Sequence, residues 1–461
     1  MQSLTGRFRG CLRTGCVPLS SPASQQFLRP GSLFWLAARR KNSAQATQNR
    51  ADAIVVGAGP AGIAAVGNLV DKYPRGNVVW VDKSFDGGSI GQLYREVPSF
   101  SPAGNFLEYA TALPIFRGIA DAVPRPNAVT RLQALDPNMT CSLSHAADML
   151  QLLSDGLIRH PSVKPVLGTV TEAGRNSSPL QTRQWRVAVQ PNHDIGHVPH
   201  QEEYHAPLVV LCTGTLPRAM PLPAPVSRLG LETCLSPTRL ARLLPRDRDR
   251  TVAVLGHGYA AAVVLKNLFC LAASSYPRLR VRWFAPGPEP WPDGALLPQS
   301  GEVAEFARAV LGADDGSGGG GDGRRQSEAG RFIERVVLPA SQERAEAVLR
   351  EGLLRAGGVD YAVECSGFRR ARLPELRPGV AQWTKLAFDP ETGSFGPYRE
   401  RSDKVIGLFG AGSAFPGWGS AAASRERETA GVLESLQYVE RMLPAWVDAT
   451  KRGYWWRRGK L

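Results

Sequence analysis

Short apolar runs punctuated by glycine and proline recur along this chain, and stretches of helical periodicity follow several of them. Ala53-Ile-Val-Val56 enters the turn Gly57-Ala-Gly-Pro-Ala-Gly62, and the residues leaving it, up to Val70, repeat apolar positions at helical spacing. Asn77-Val-Val-Trp-Val81 reads as a second strand, ending at Asp82. Residues 104–123 and 145–160 read as helices and 165–171 and 184–190 as strands, the last alternating with period two. The polar stretch 191–207 reads as a hairpin loop. Pro207-Leu-Val-Val-Leu-Cys212 is an apolar strand running into Thr213-Gly214, and Pro217, Pro221, Pro223 and Pro225 mark a linker. Residues 251–268 then repeat the strand–turn–helix theme through Gly256-x-Gly258-x-x-Ala261, and Val281–Phe284 follows as its next strand. A strand through Tyr361–Cys365 runs into Ser-Gly-Phe368, Val405–Gly410 leads into Ala-Gly412, and a helix is expected over roughly 418–443. Strands alternating with helices define an α/β protein.

The two glycine turns carry the chemistry. In the first, Gly57 permits a tight turn, Gly59 lets backbone approach a pyrophosphate, and Gly62 lets helix pack on strand. Phosphates would sit on the unpaired N–H groups and positive dipole end of the helix. Asp82 lies 20 residues beyond Gly62, where it can meet a ribose hydroxyl. Strand, turn, helix, strand and terminal acid in that order specify an adenine dinucleotide site. The second turn lacks that ending: its strand closes Trp283-Phe284-Ala285-Pro286, with neither an acid nor an arginine, although Arg280 and Arg282 lie earlier on it.

Composition narrows the function. The 461 residues suffice for two or three domains with a large core. The net charge of +14 is uneven: the first 51 residues hold seven Arg, one Lys and no acid, leaving only +6 for the rest. No basic stripe interleaved with aromatics and no zinc spacing argues for nucleic acid. That leader is rich in Arg and Ser, the composition of a mitochondrial or plastid transit peptide, so a mitochondrial location is expected, with the cytoplasm as the alternative. No apolar run is long enough to span a membrane; the tail Gly453–Leu461 mixes aromatic and basic residues and could touch an anionic surface. His193, His197, His200 and His205 fall in the polar stretch with no usual zinc spacing, so no metal is expected. The seven cysteines form no C-x-x-C pair, and Cys212 and Cys365 read as small core residues. Residues 312–324, with four glycines in a row, read as a surface insertion.

Taken together, the first turn, the Cys212-Thr213-Gly214 strand end, the second turn, the Cys365-Ser366-Gly367-Phe368 strand end and the late Gly410-Ala411-Gly412 turn resemble the flavoproteins with two dinucleotide-binding domains. That family holds the disulfide reductases and the flavin-containing and N-hydroxylating monooxygenases, and the likeness covers about residues 52–445. It implies an FAD-binding Rossmann-like domain with an inserted second Rossmann-like domain for NADH or NADPH. The boundaries expected are 1–50 for the leader, 51–225 and 356–461 for the two parts of the FAD domain, and 226–355 for the inserted domain.

Carried over by resemblance, Gly57, Gly59, Pro60, Ala61 and Gly62 would hold the FAD pyrophosphate and Asp82 the adenosine ribose. Gly87 and Gly88 would lie along the ribityl chain, Val170 would touch the adenine by backbone, and Cys212-Thr213-Gly214 would cover the cofactor. Gly412 would begin the turn at the flavin ring, where Ser413 replaces the family's usual Asp. Gly256, Gly258, Tyr259 and Ala260 would hold the nicotinamide cofactor, and Tyr94 is a candidate active-site aromatic.

A disulfide reductase needs a redox cysteine pair, which is missing here. A flavin monooxygenase needs no such side chain, because the cofactor carries the hard chemistry. The sequence therefore favours an FAD-dependent NAD(P)H oxidoreductase of monooxygenase character acting on a small molecule. A dehydrogenase or quinone-type reductase of the same fold, and a non-enzymatic flavoprotein, stay open.

Overall fold

The computed structural model describes residues 49–175, 184–192, 201–287, 300–311, 330–354, 358–378, 386–397, 404–417 and 431–455. The first strand, β1 (Ala53–Val56), is buried at all four positions and leads into helix α1 (Pro60–Lys72). Pro60 stands at the start of the helix, where its missing N–H costs nothing. Strand β2 (Val78–Asp82) and strand β3 (Val163–Arg175) pair in parallel on one side of β1, and β4 (Leu208–Leu211) pairs in parallel on the other.

The second repeat is β5 (Arg250–Gly256), helix α2 (Tyr259–Ser274), β6 (Leu279–Pro286), β7 (Ile333–Leu338) and β8 (Tyr361–Cys365). The chain then returns through β9 (Val405–Gly410), parallel to β4, and closes on helix α3 (Val432–Trp455).

Two main sheets result. The first has eleven strands and a parallel centre in the order β3-β2-β1-β4-β9; the second is a five-stranded parallel sheet in the order Ser227–Leu229, β8, β5, β6, β7. Parallel strands with both faces covered read as continuous apolar runs, which is why β1, β4 and the middle of β5 show no alternation. Residues of α1 and α3 share one core cluster on one face of the first sheet; residues of β3, β4 and β9 form another on its opposite face. Burying each Val or Ile of these strands contributes roughly 1.5–3 kcal/mol.

Several elements depart from the sequence expectation. The helix expected over 104–123 is two helices, Ala103–Ala112 and Pro114–Asp121. Proline excludes helical backbone at the residue before it, and Leu113 accordingly has φ −96° and ψ 143°. The strand expected over 165–171 extends to Val163–Arg175, because its far half finds a partner in Trp185–Pro191. Part of the supposed loop 191–207 is a strand, Glu202–Ala206, and it places His205 opposite Arg186; His193, His197 and His200 lie outside the described residues. The proline-marked linker begins inside a short antiparallel ribbon, Thr215–Pro217 with Phe368–Arg370.

The domain expectation shifts at two points. Asn49 and Arg50, assigned to the leader, pair in parallel with Tyr204 and His205. The strand at 361–365, placed beyond the 355/356 boundary, belongs to the second sheet between β5 and Ser227–Leu229. The late helix runs to Trp455, twelve residues past the expected end, while 418–430, the insertion at 312–324 and the rest of the leader lie outside the described residues. No helix among the described residues is long and apolar enough to cross a membrane.

Candidate functional site

The first turn is shaped by close contacts that leave no room for side chains. Gly57 has φ +107°, and a Cβ there would stand 2.2 Å from the carbonyl oxygen of Cys212. A Cβ on Gly62 would stand 1.9 Å from the Gly57 carbonyl oxygen. The Trp80 indole N–H donates to that same oxygen at 3.0 Å. Asp82 fixes the other side: its Oδ2 accepts from the Ala58 N–H at 2.8 Å, and its Oδ1 accepts from the N–H groups of Ser84 and Phe85, both at 2.9 Å. The acid read as a ribose ligand thus also anchors the turn, a role that spacing alone does not reveal.

Around this turn the other candidates converge. Gly87 and Gly88 begin a short helix in left-handed conformation, and a Cβ on Gly88 would reach the Gly59 Cα at 2.7 Å. Gly412 comes against the start of α1, with Ala61 Cβ 2.7 Å from where its own Cβ would be. Thr215 and Ser413 hydroxyls lie 3.5 Å apart, joining the Cys212-Thr213-Gly214 strand end to the late turn. Pro60 is tied down from its carbonyl, which accepts from the buried Tyr109 hydroxyl at 2.6 Å. Val170 is the exception. It lies three residues past the Asp82–Leu167 pairing, within the antiparallel stretch facing Val189.

The fit to a dinucleotide can be tested on two features. Among the described residues a Cβ on Gly59 would meet only Gly88 Cα, at 3.9 Å, so protein packing there does not demand the glycine, as a pyrophosphate on the turn would. Among the described residues the Thr213 hydroxyl is buried without a hydrogen-bond partner, at the strand end that would cover the cofactor. Buried polar groups ordinarily have partners, and a bound cofactor would supply one.

The second turn repeats the first in outline. Gly256 has φ +114°, and a Cβ on it would approach the Cys365 carbonyl oxygen at 2.8 Å. The Trp283 indole donates to the Gly256 carbonyl at 2.8 Å, as Trp80 does to Gly57. Gly258 has φ +85°, and among the described residues nothing lies within 4 Å of its would-be Cβ. Ala260 occupies the second position of α2.

Tyr259 turns toward the two-stranded ribbon of Pro98–Pro102 with Thr140–Ser142, its hydroxyl donating to the Pro98 carbonyl at 2.7 Å and its ring edge-on to Phe100. Its side chain therefore joins the two repeats, leaving its backbone N–H at the helix start. Ala285 stands at the strand position that Asp82 holds in the first repeat, since Gly57 follows the Val56–Val81 pair and Gly256 follows the Leu255–Phe284 pair. Arg280 and Arg282 do not reach it: Arg280 donates to the carbonyls of Pro277 and Leu279, and Arg282 to Glu334 and the Gly352 carbonyl.

The cysteines are placed for packing. Cys141, Cys212, Cys234, Cys270 and Cys365 form no disulfide among the described residues, and burial pushes the Cys212 and Cys234 thiols up to about 12. Such thiols stay protonated at neutral pH and are poor nucleophiles. Tyr94, also pushed up to about 12 by burial, packs on the core of the second sheet.

This fold and these paired turns are those of a two-dinucleotide-binding flavoprotein. The chain is 34% identical over 411 residues to the monooxygenase AgnR1 of Paecilomyces divaricatus, covering 86% of this chain and 98% of that one. It belongs to that monooxygenase's family and is an FAD-dependent oxidoreductase of monooxygenase-like type. No protein-family model matches it.

Among solved structures, it is similar to a bacillithiol disulfide reductase of Bacillus cereus, with TM-score 0.48, 15% identity, and coverage of 87% of this chain and 99% of that one. It is similar too to the cadaverine monooxygenase DfoA of Erwinia amylovora, with TM-score 0.48, 12% identity, and coverage of 87% and 95%. A flavin monooxygenase of Stenotrophomonas maltophilia gives TM-score 0.46, 17% identity, and coverage of 88% and 99%.

Proposed function

We propose that this protein is an NAD(P)H-consuming FAD monooxygenase of a small molecule. FAD would be held by Gly57, Gly59, Pro60, Ala61, Gly62, Asp82, Gly87, Gly88, Thr213, Gly214, Gly412 and Ser413, and the nicotinamide cofactor by the turn at Gly256–Ala260. The observation that carries this reading is the second turn. Among the described residues Gly258 leaves open space at the start of α2, where backbone N–H groups and the helix dipole favour an anion. The similarity to a monooxygenase supports the reaction class.

When bound, FAD supplies the redox chemistry, taking an electron pair from the nicotinamide and passing it to dioxygen. The protein's own part is placement. Asp82 and Trp80 hold the first turn rigid, and Asp82 has lone pairs left for a ribose hydroxyl. Thr213 can donate to the cofactor, and Ser413 offers a hydrogen bond without the charge that an Asp would bring. Tyr259, bonded to Pro98, and Glu96, which accepts from Ser236 at 2.8 Å, tie the two repeats together. They fix the distance between the two turns.

The test is an anaerobic spectrum of the purified holoprotein before and after NADPH or NADH, followed by oxygen. Bleaching of the flavin, then oxygen uptake with an oxygenated product, supports the proposal. Bleaching followed by quinone or dye reduction without oxygen insertion would assign the dehydrogenase or reductase alternative. A flavin that neither nicotinamide reduces would refute the nicotinamide role. We further propose that residues 1 to about 45 direct import into mitochondria, on their acid-free, Arg-rich composition; a reporter fused to them that stays in the cytosol would overturn this.

A further inference from the structure

We infer that Arg370, with the hydroxyls of Thr215 and Ser413, holds a carboxylate of the substrate beside the flavin, an inference that rests on the oxidation of a small molecule proposed above. The three residues come from the two segments that join the repeats and from the late turn. Thr215 and Arg370 are direct partners across the antiparallel ribbon Thr215–Pro217 with Phe368–Arg370, so their side chains leave it on the same face. The Thr215 hydroxyl lies 3.5 Å from that of Ser413, and the Arg370 Nε donates to the carbonyl of Ala414, the next residue, at 2.8 Å. The guanidinium is steadied on the Phe415 ring, 4.4 Å from its centre. The turn assigned to the flavin ring is thus bordered by one cation and two hydroxyls.

That cation is unopposed. Burial draws the Arg370 guanidinium below its ordinary pKa, and among the described residues no carboxylate acts to raise it again. It stays charged at neutral pH all the same. An Asp in place of Ser413 would set a carboxylate next to the residue that Arg370 bonds and draw its charge; Ser413 leaves that charge to a ligand. The surroundings carry the same sign. The joining segments 213–218 and 366–372 hold Arg218, Arg369, Arg370 and Arg372 and no acid, and all four arginines are exposed. A surface of one sign raises the local concentration of the opposite ion. The phosphates of both cofactors are provided for at the two glycine turns, so the anion left for this place is the substrate's own. A carboxylate fits it: a guanidinium bound through Nε keeps its Nη pair for the two oxygens, and two hydroxyls can donate to the remaining lone pairs.

The experiment uses the FAD-loaded full chain as wild type, Arg370→Met and Arg370→Lys, with benzoate and benzamide as probes. The probes share size and shape and differ in charge. Methionine keeps an apolar stem over Phe415, and lysine keeps the charge without the fork. Calorimetric titration reads affinity, and the shift of the flavin absorbance band on binding reads proximity to the ring; neither needs turnover. The concentration dependence of anaerobic flavin reduction by NADPH and by NADH, in the same proteins, reports on the nicotinamide site.

Wild type should bind benzoate more tightly than benzamide by roughly 10- to 100-fold, with a shift of the flavin band. Arg370→Met should bring that ratio close to one with FAD content retained, and Arg370→Lys should fall between, both with unchanged reduction by the nicotinamides. Should Arg370→Met lose FAD, wild type and Arg370→Lys decide alone. A wild type that fails to bind benzoate, or binds both probes equally, would overturn the assignment while leaving the proposed function standing. So would a variant that keeps the full wild-type ratio, or benzoate binding with no change in the flavin band. Weaker action of NADPH or NADH in the variants, with benzoate binding unchanged, would give the arginine to the nicotinamide cofactor and overturn the assignment too. A flavin that neither nicotinamide reduces, with benzoate still held through Arg370, would support the anion site and overturn the proposed function.

Discussion

The two glycine turns are built on one plan and finished differently. In each, a buried cysteine ends the neighbouring strand and its carbonyl crowds the first glycine; in each, a tryptophan on the following strand donates to that glycine's carbonyl. The differences begin at the third position. With Gly62, the first turn brings helix and strand so close that a Cβ would stand 1.9 Å from the Gly57 oxygen. The second has Ala261, whose Cβ could not occupy that geometry, and the backbone takes another path: Gly59 has φ −79°, Gly258 has φ 85°. The second difference is the strand end, where Asp82 braces the first turn through Ala58 and Ala285 leaves the second without such a brace. The first turn is locked from three sides and suits a cofactor that stays. The second is held from fewer and suits one that comes and goes.

The sharpest way to break this comparison is at Gly59. A valine there fits the protein, since among the described residues its Cβ meets only Gly88 Cα at 3.9 Å, yet it fills the room of a pyrophosphate. Gly59→Val should purify folded and essentially free of flavin, by the ratio of flavin to protein absorbance and by circular dichroism. A fully loaded Gly59→Val protein would remove the site from this turn.

Next in size is exchange of the strand-end residues. Asp82→Asn turns one accepting oxygen into an NH2 group that faces backbone N–H donors, costing about 1–3 kcal/mol of stability. Flavin should be lost more readily in dilution. Ala285→Asp should also destabilise, because it buries a charge without a partner, but should leave flavin retention unchanged. Equal flavin loss in both variants would erase the distinction between the turns.

The tryptophans should give smaller and separable effects. Trp80→Phe and Trp283→Phe each orphan one glycine carbonyl, worth about 1 kcal/mol. The first should weaken flavin retention and the second nicotinamide binding, as measured by flavin release and by titration with NADPH. Crossed effects would argue against two independent sites.

The cysteines should matter least at neutral pH. Cys212→Ala and Cys365→Ala should cost about 1–2 kcal/mol of stability and leave flavin reduction intact. Because burial raises the folded Cys212 thiol from 9.0 to about 12, the unfolded chain loses its proton first. This contribution is full below pH 9 and is lost as pH rises toward 12, so alkaline melting curves of wild type should fall more steeply than those of Cys212→Ala.

Much of this was legible because local chemistry dictated it. Strand–glycine turn–helix units are short-range patterns, and both were readable from spacing, as were the Thr-Gly and Gly412 turns. The missed features depend on distant partners. The long strand Val163–Arg175 and the strand Glu202–Ala206 exist through pairing with Trp185–Pro191, which a polar stretch does not announce. Membership of Tyr361–Cys365 in the second sheet is fixed by a register with β5, more than a hundred residues earlier. The brace from Asp82 to Ala58 and the bond from Arg370 to Ala414 are likewise contacts between elements.

The central claim is that the first turn holds FAD and the second delivers the nicotinamide. Its most direct test is stopped-flow anaerobic reduction by NADPH of wild type and Gly258→Val, with flavin content measured in the same samples. The account predicts full FAD content in both proteins and reduction at least tenfold slower in the variant, because a side chain at Gly258 fills the space an anion would take. Equal reduction rates in the two proteins, or loss of FAD from Gly258→Val, would contradict it.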